Sequence, residues 1–274
     1  MCNKYLDILK ENSKTFYTAS KLLPNVVRDD VIKIYAFCRT YDDNADLSLS
    51  SNTTELENAV RDLGIEHTII EQLKEGIDSD KQFERISTLD DLIVYSYKVA
   101  GCVGIMMCDV LGIKNSKAKY HAIDLGIAMQ ITNICRDIMD DFSINRKYLP
   151  DSMISVNKIE IKDIDEIYQV SSDLIKISEE YYQSAEEGIK YIPFLSRFSI
   201  LYALKLYQAI GRKILKSKSV FLNERINTSK FEKVIILFKT LILFSSKYIL
   251  FGFKNHKQSL HKPLSGLPRI HERI

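Results

Sequence analysis

Residues 130–141 carry the sequence Gln-Ile-Thr-Asn-Ile-Cys-Arg-Asp-Ile-Met-Asp-Asp, an apolar segment that ends in three carboxylates. Asp137 and Asp141 are four residues apart, so a helix places both side chains on one face. The earlier segment Tyr-Asp-Asp-Asn-Ala-Asp at 41–46 repeats this spacing with Asp42 and Asp46. Like charges at this spacing repel by about 0.2–0.5 kcal/mol in an isolated helix. Two such pairs within apolar segments therefore indicate that the chain binds cations.

Helical patterns dominate the sequence around these two motifs. Among 274 residues, 46% are apolar and 27% charged, while 10 Gly and 5 Pro are few, which favours long helices. No alternating strand pattern stands out. We predict one all-α domain over residues 1–254 and a basic, loosely ordered tail over 255–274. The predicted helices span residues 3–22, 31–46, 55–63, 66–76, 89–111, 118–142, 160–190, 193–217 and 228–250.

Charge and cysteine content limit the partners and the compartment. A net charge of +2 gives no indication of a nucleic-acid partner. The five cysteines form no CxxC pair, and three lie in apolar helical stretches, which indicates buried thiols in a reducing compartment. The N-terminal segment Met-Cys-Asn-Lys-Tyr-Leu-Asp lacks the apolar core of a signal peptide. We therefore expect a cytoplasmic protein.

Residues 234–253 form the most apolar segment, interrupted by Lys239 and Lys247. Two lysines within about 20 residues argue against a helix that spans a membrane. Two interpretations stay open. The segment is either the last core helix or a helix on a membrane surface, with its lysines at the lipid headgroups. In the second case the cytoplasmic protein is membrane-associated.

Facing carboxylate pairs suit Mg²⁺, which prefers oxygen ligands and leaves part of its coordination to substrate phosphates and water. Arginines accompany both motifs: Arg39 precedes Asp42 by three residues, Arg136 directly precedes Asp137, and Arg146 follows the second motif. Guanidinium groups contact phosphates in a bidentate manner. A single aspartate pair is usually a solvated helix face, but two pairs with neighbouring arginines favour a metal–diphosphate site.

The two motifs in their context resemble the two DxxxD segments of the phytoene/squalene synthase family. The first is Ile-Tyr-Ala-Phe-Cys-Arg-Thr-Tyr-Asp-Asp-Asn-Ala-Asp at 34–46, and the second, at 130–141, is followed by Arg-Lys-Tyr-Leu-Pro at 146–150. Ser-Lys-Thr-Phe-Tyr at 13–17 is similar to the family's N-terminal segment, and residues 95–104 are similar to its central helix. The resemblance implies a single-domain isoprenoid-synthase-type helical bundle around a central cavity.

The resemblance also implies a head-to-head prenyltransferase. In this family an allylic diphosphate ionises with the help of Mg²⁺, and a second molecule captures the carbocation to give a cyclopropylcarbinyl diphosphate. We expect condensation of two geranylgeranyl diphosphates to phytoene, a step of carotenoid biosynthesis. Alternatives are dehydrosqualene, presqualene diphosphate or squalene synthesis from farnesyl diphosphate. A non-catalytic assembly-factor relative is a further alternative, which the four motif carboxylates disfavour.

Site roles follow from the resemblance, residue by residue. The implied metal ligands, with Asn133 in support, are Asp42, Asp46, Asp137 and Asp141. The implied diphosphate contacts are Lys14, Arg39, Arg136, Arg146, Tyr207 and Arg225. The residues implied to line the reaction centre are Tyr35, Tyr95 and Gln130.

The length of the hydrocarbon tail depends on residues near Phe16. Ser20 lies one turn further along the predicted helix, where a small side chain leaves a pocket open and an aromatic one closes it. This favours C20 substrates. No nucleotide cofactor is predicted, because Gly101-Cys-Val-Gly104 lacks the spacing of a nucleotide-binding loop. The expected partners are prenyl diphosphates and, through residues 234–253, a membrane surface.

Overall fold

The computed structural model describes residues 2–47, 54–81, 85–250 and 255–270. Every regular element within them is helical, which confirms the predicted all-α class. The α-helices are α1 (Cys2–Asn12), α2 (Lys14–Ser20), α3 (Asn25–Leu47), α4 (Thr54–Arg61), α5 (His67–Asp78), α6 (Leu89–Ser96), α7 (Cys102–Val110), α8 (Lys117–Arg136), α9 (Ile138–Ser143), α10 (Val156–Glu160), α11 (Ile164–Gly188), α12 (Phe194–Ile214) and α13 (Lys230–Leu250). A π-helical turn, Tyr97–Gly101, joins α6 to α7.

Helix α8 lies at the centre of the bundle and packs against α7, α11 and α12. Close helix approach depends on glycine at two places. A Cβ atom added at Gly104 would lie 2.2 Å from the Ala122 carbonyl oxygen, and one added at Gly126 would lie 2.3 Å from that of Ala100. Larger residues would force the helices apart.

Two predicted helices are interrupted. Residues 3–22 form two helices, because Ser13 leaves the helical conformation and its side chain accepts a hydrogen bond from the Phe16 N–H. The predicted helix 118–142 is broken at Asp137, whose φ and ψ are −108° and 17°. Side chains of adjacent residues do not face each other on a regular helix. The break at Asp137 therefore allows the close ion pair between Arg136 and Asp137. The Asp141 N–H still donates to the Asp137 carbonyl, at 2.9 Å.

The prediction of a loosely ordered tail is wrong for residues 255–270, here called the C-terminal strap. Its Leu260 and Leu264 are buried in the core. The Tyr181 hydroxyl donates to the Leu260 carbonyl at 2.8 Å, and the Tyr97 hydroxyl donates to that of Pro268 at 2.7 Å. Buried tyrosines need acceptors for their hydroxyl groups, and the strap supplies two of them. Residues 271–274 lie outside the described part of the chain.

The segment Leu89–Val110 is long and apolar enough to cross a membrane, but half of its most apolar stretch is buried within the protein. Helix α13 differs from it. One side of α13 packs against α12, and Thr240 is buried there. The other side exposes large apolar side chains to solvent, namely Phe231, Val234, Ile235, Phe238, Leu241 and Ile242. Of the two interpretations of the apolar segment 234–253, a core helix does not account for this exposed face. Residues 251–253 of the segment lie outside the described residues.

Candidate active site

A cavity of about 310 Å³ runs alongside α8 between α2, α3, α7, α11 and α12. Its lining residues on α8 extend from Ala118 to Asn133, a span of roughly 22 Å at about 1.5 Å per residue. Polar side chains gather at the Asn133 end. The opposite end is closed by apolar side chains that pack on one another, among them Leu23, Leu111 and Ile192. The cavity is thus a deep apolar tube with a polar mouth.

The first motif lies on α3 at this mouth and is half-exposed. Arg39 Nη1 donates to Asp42 Oδ2 at 3.1 Å, and Arg39 also pairs with Asp43. Cys38, one residue before Arg39, lines the cavity. The side chain of Asp46 lies outside the described part of the structure, so its predicted metal role stays a prediction.

The second motif is more buried, and two guanidinium groups clasp its first carboxylate. Arg136 Nε donates to Asp137 Oδ1 at 2.8 Å, and Arg225 donates to both carboxylate oxygens at 2.9 and 3.0 Å. Burial raises the pKa of Asp137, but the hydrogen bonds and charges of the two arginines outweigh it and hold that pKa below its usual value. Arg225, 88 residues away in sequence, therefore belongs to the same cluster.

Asp141 is in a different electrostatic position. Burial, and then the nearby Asp137 carboxylate, raise the pKa of Asp141 to about 7, although Arg146 partly opposes the shift. When burial and a nearby like charge raise the pKa of a carboxyl group towards neutral pH, a bound cation stabilises the ionised form of that group. The side chain of Arg146 donates to the Asp80 carbonyl oxygen at 3.2 Å.

Asp80 is a site residue that sequence reasoning missed. It lies just beyond α5, where no helix was predicted, yet it is buried and accepts a hydrogen bond from the Tyr95 hydroxyl at 2.8 Å. Tyr148 stacks on Tyr95 with ring centroids 5.0 Å apart. The Asp80 charge also contributes to the raised pKa of Asp141. The sequence carried no signal for this placement, because it depends on contacts between α5, α6 and the segment after α9.

Aromatic side chains join the two motifs across the mouth. The Phe16 ring lies 5.9 Å from that of Tyr35 on α3 and 5.2 Å from that of Tyr207 on α12. The positive charge of Arg136 lies near the Tyr207 hydroxyl and partly opposes the rise of its pKa on burial. Burial raises the pKa of both tyrosines, so they are neutral at physiological pH. Phe16, Tyr35 and Tyr207 all line the cavity and present aromatic surface to it.

Gln130 and Asn133 line the cavity one helical turn apart on α8. Asn133 Nδ2 donates to Gln130 Oε1 at 3.5 Å, while Asn133 Oδ1 is buried and has no hydrogen-bond partner in the structure. A buried acceptor without a donor is costly, and a cation or its water would satisfy it. Asn133 Oδ1 and the carboxylates of Asp42, Asp137 and Asp141 are oxygen donors, the ligand type that Mg²⁺ prefers.

The structure brings together most of the predicted residues but places three of them apart. Ser20 is buried in the cavity wall, as predicted, and donates to the Tyr17 carbonyl at 3.0 Å. Tyr95 is bonded to Asp80 and is not among the described residues that line the cavity. Lys14 is exposed at the start of α2, beside Lys233. Arg146 is not among the described residues that line the cavity either; it lies near Asp141 and is bonded to Asp80.

Comparisons with known proteins agree with this geometry. Residues 9–57 and 50–232 match the family model for squalene/phytoene synthase. A 15-cis-phytoene synthase of Paracoccus sp. is 33% identical over 266 residues, which cover 84% of this chain and 88% of the relative. The 15-cis-phytoene synthase of Enterobacter agglomerans is 30% identical over 268 residues, covering 84% and 91%.

Solved structures show the same fold. A dehydrosqualene synthase in complex with a ligand superposes with a TM-score of 0.73 and 25% identity, covering 89% of this chain and 96% of that one. YisP from Bacillus subtilis superposes with the same TM-score at 19% identity, covering 86% and 94%, a likeness of fold alone. The chain belongs to the squalene/phytoene synthase family and is an enzyme of the prenyltransferase class.

Proposed function

We propose that this protein condenses two molecules of geranylgeranyl diphosphate head to head to give phytoene. The observation that carries the proposal is the cavity: a deep apolar tube lined near its polar end by Cys38, which shortly precedes the first motif on α3, and by Asn133, which shortly precedes the second motif on α8. A prenyl diphosphate has the same division, an apolar tail and a charged head. The similarity to phytoene synthases supports the choice of product.

Mg²⁺ bound to the motif aspartates would neutralise the diphosphate and help it to leave. The chain's own residues do the remaining work. Arg136 and Arg225 bring positive charge to the mouth and are placed to bind diphosphate oxygens, with Arg39 beside Asp42. The rings of Phe16, Tyr35 and Tyr207 offer π faces to a carbocation. The apolar walls exclude the water that would otherwise quench it.

The depth of the cavity supports a C20 tail. An extended C20 prenyl chain is roughly 19 Å long and a C15 chain roughly 14 Å, with carbon–carbon bonds of about 1.5 Å. The cavity extends along 16 residues of α8, from Ala118 to Asn133, which are roughly 22 Å apart along the helix axis. Ser20, in its wall, is too small to obstruct the tube.

The test is an incubation of the purified protein with Mg²⁺ and either geranylgeranyl or farnesyl diphosphate, followed by mass analysis of the extracted hydrocarbons. A C40 triene from the C20 substrate alone is the expected result. A C30 product from farnesyl diphosphate alone would contradict the proposed substrate but not the reaction type. Absence of product from both substrates would contradict the proposed activity.

Condensation of C15 substrates is the second candidate, favoured by the likeness to a dehydrosqualene synthase. Substitutions of Ser20 distinguish the C15 candidate from the C20 candidate. Ser20→Phe should shorten the cavity and shift the ratio of C15 to C20 turnover upwards by about tenfold or more, whereas Ser20→Ala, which keeps the space, should leave it unchanged. An unchanged ratio in Ser20→Phe would show that this residue does not limit the tail.

We also propose that the protein is cytoplasmic and contacts a lipid surface through α13. Its exposed apolar residues recur at spacings of three and four, from Phe231 through Phe238 to Ile242, and form one stripe. Lys230 and Lys239 flank this stripe on opposite sides, where lysines reach lipid headgroups. Prenyl substrates and products partition into lipid, which supports the same surface.

Co-sedimentation with anionic lipid vesicles tests this surface. We expect the wild-type protein to sediment with the vesicles and the Phe238→Glu variant to remain largely in the supernatant. Lys176→Glu, on the exposed face of α11, is a control for charge alone. Equal binding of wild-type protein and Phe238→Glu would contradict the proposed contact.

A further inference from the structure

A second cluster of ligating side chains lies away from the mouth. Asp124, on α8, is fully buried, and two histidines of the C-terminal strap reach it. His261 Nε2 lies 2.8 Å from Asp124 Oδ1, and His256 Nε2 lies 2.9 Å from Asp124 Oδ2. The cluster is 13 residues before Asp137 on α8, roughly 20 Å along the helix axis. It is therefore separate from the proposed magnesium site.

The surroundings hold these side chains in fixed positions. The Ser184 hydroxyl, on α11, donates to Asp124 Oδ2, and His121 Nδ1 lies 2.7 Å from the Ser184 carbonyl oxygen. The rings of His256 and His261 are 4.4 Å apart, and Tyr120 packs against both of them. Such supporting hydrogen bonds and ring contacts resemble the second layer around a metal centre, which orients the ligands.

The Asp124 side chain has none of its surface exposed to solvent. Within the described residues, its hydrogen-bond and ion-pair partners are Ser184, His256 and His261, and no lysine or arginine. A buried carboxylate that lacks a permanent positive partner is costly, and a bound cation would offset that cost.

We propose that Asp124 Oδ, His256 Nε2 and His261 Nε2 form a binding site for a zinc-type transition-metal ion that fastens the strap to the core. The three ligand atoms lie within 4.8 Å of one another. Two imidazole nitrogens and one carboxylate oxygen are a donor set that binds Zn²⁺ with a fourth position left for water. Imidazole donors favour Zn²⁺ or Co²⁺ over Mg²⁺.

Two of the three ligand separations need little change to admit the ion. Metal–ligand bonds of about 2.0–2.1 Å in a tetrahedral site place ligand atoms roughly 3.3 Å apart. The separation of 2.8 Å between His261 Nε2 and Asp124 Oδ1 and that of 2.9 Å between His256 Nε2 and Asp124 Oδ2 would open by a few tenths of an ångström. Each neutral imidazole then carries its proton on Nδ1 and directs the Nε2 lone pair at the metal, so no proton is lost from either ring.

The site would connect distant parts of the chain next to the reaction cavity. Asp124 and His261 are 137 residues apart. His121, whose ring lies 5.1 Å from that of His256, lines the cavity together with Ala118 and Gly188 near its apolar end. A metal-fastened strap would therefore support the wall behind the hydrocarbon tail, and the expected effect is on stability more than on chemistry.

The test is metal binding by the full chain after removal of metals with a chelator. To lower uptake at the mouth, the Asp137→Asn variant serves as the background. We expect one tightly bound Zn²⁺ per chain, and with Co²⁺ a visible absorption spectrum typical of tetrahedral coordination. His261→Gln in the same background should weaken Zn²⁺ binding by at least about 100-fold. His67→Gln, at an exposed histidine of α5, is the matched control and should bind as the background does.

Thermal unfolding gives a second measurement that needs no mutation at the mouth. Saturating Zn²⁺ should raise the Tm of the wild-type protein and of His67→Gln by roughly 5 °C, but not that of His261→Gln. Glutamine at position 261 keeps an N–H donor for Asp124. If hydrogen bonds alone fastened the strap, Zn²⁺ would therefore change the Tm of His261→Gln and of His67→Gln by the same amount. Zn²⁺ uptake that is equal in His261→Gln and its background, or no tight uptake by the folded wild-type protein, would overturn the proposal.

Discussion

The two aspartate motifs share their spacing but not their surroundings. Asp42 lies on the unbroken helix α3, and its side chain is 36% exposed beside an equally exposed Arg39. Asp137 lies at a break between two helices, and its side chain is 14% exposed between two guanidinium groups. The first motif is an exposed ion pair between Arg39 and Asp42, here called the rim. The second motif is a buried cluster in which Asp141 has a pKa of about 7.

The same sequence pattern can therefore supply two different halves of one site. In the second motif, charges are held in place by Arg136 and Arg225 before any ligand arrives. Preorganised charge stabilises a developing diphosphate without rearrangement, whereas exposed groups must first be ordered. We expect the second motif to contribute more to catalysis, and the following predictions test that difference.

The largest effect is expected from Asp137→Asn. It removes one carboxylate from the proposed metal ligands and leaves two guanidinium groups facing a neutral amide, so kcat/KM should fall by at least about 100-fold. Asp42→Asn, on the rim, should cost less, about tenfold. Steady-state turnover of geranylgeranyl diphosphate measures both.

Asp140→Asn is the matched control. Asp140 lies in α9, the short helix that begins directly after Asp137, and its side chain is exposed to solvent. Its kcat/KM should remain within about twofold of wild type, as for most surface substitutions. Circular dichroism establishes that all three variants are folded. A larger loss from Asp42→Asn than from Asp137→Asn would contradict the proposed difference between the motifs.

The second prediction concerns Arg225, which joins the buried cluster from a distant segment. Arg225→Gln removes two hydrogen bonds to Asp137 and one proposed diphosphate contact, so KM for the prenyl diphosphate should rise by roughly tenfold. Arg212→Gln changes a similarly exposed arginine that pairs with Glu179 and should leave KM unchanged. Equal effects of the two substitutions would show that Arg225 does not act at the mouth.

The third prediction uses the raised pKa of Asp141. Below about pH 7 a proton occupies this carboxyl group in the folded protein and competes with Mg²⁺. The affinity for Mg²⁺ should therefore fall by up to about tenfold per pH unit below pH 7. Titration calorimetry at pH 6, 7 and 8 measures this, and Asp141→Asn should remove the added dependence. A pH-independent affinity in the wild-type protein would contradict the role assigned to Asp141.

The same shift predicts how stability depends on pH without metal. Since the folded state holds this proton more tightly than the unfolded state does, the contribution of Asp141 to stability is largest at low pH. It is lost as the pH rises from about 4 to about 7. Asp141→Asn should remove this contribution to the slope in denaturant unfolding at fixed ionic strength, and an unchanged slope would count against the raised pKa.

The smallest effect is expected on the rim, from Asp43→Asn. It breaks the contact between Arg39 and Asp43, but both side chains are more than a third exposed, so solvent screens the pair. Unfolding free energy should change by less than about 0.5 kcal/mol, and activity by less than about twofold. A tenfold loss of activity would show that the rim is as tightly organised as the buried cluster.

Local chemistry made much of the site predictable. The spacing of Asp42 and Asp46, the arginines beside the motifs and the small Ser20 are properties of short segments, and helical periodicity placed them on the right elements. The breaks at Ser13 and Asp137 were missed, because side-chain hydrogen bonds and ion pairs there outweigh the helical pattern.

The helical class and the two aspartate motifs follow from the sequence alone, because each is encoded in residues close together along the chain. Only the tertiary structure decided which charges meet. It placed Arg225 on Asp137, Asp80 beside Tyr95 and the strap histidines on Asp124. These contacts join segments between 15 and 137 residues apart. Their energies depend on burial and on distances between elements, which no local pattern specifies.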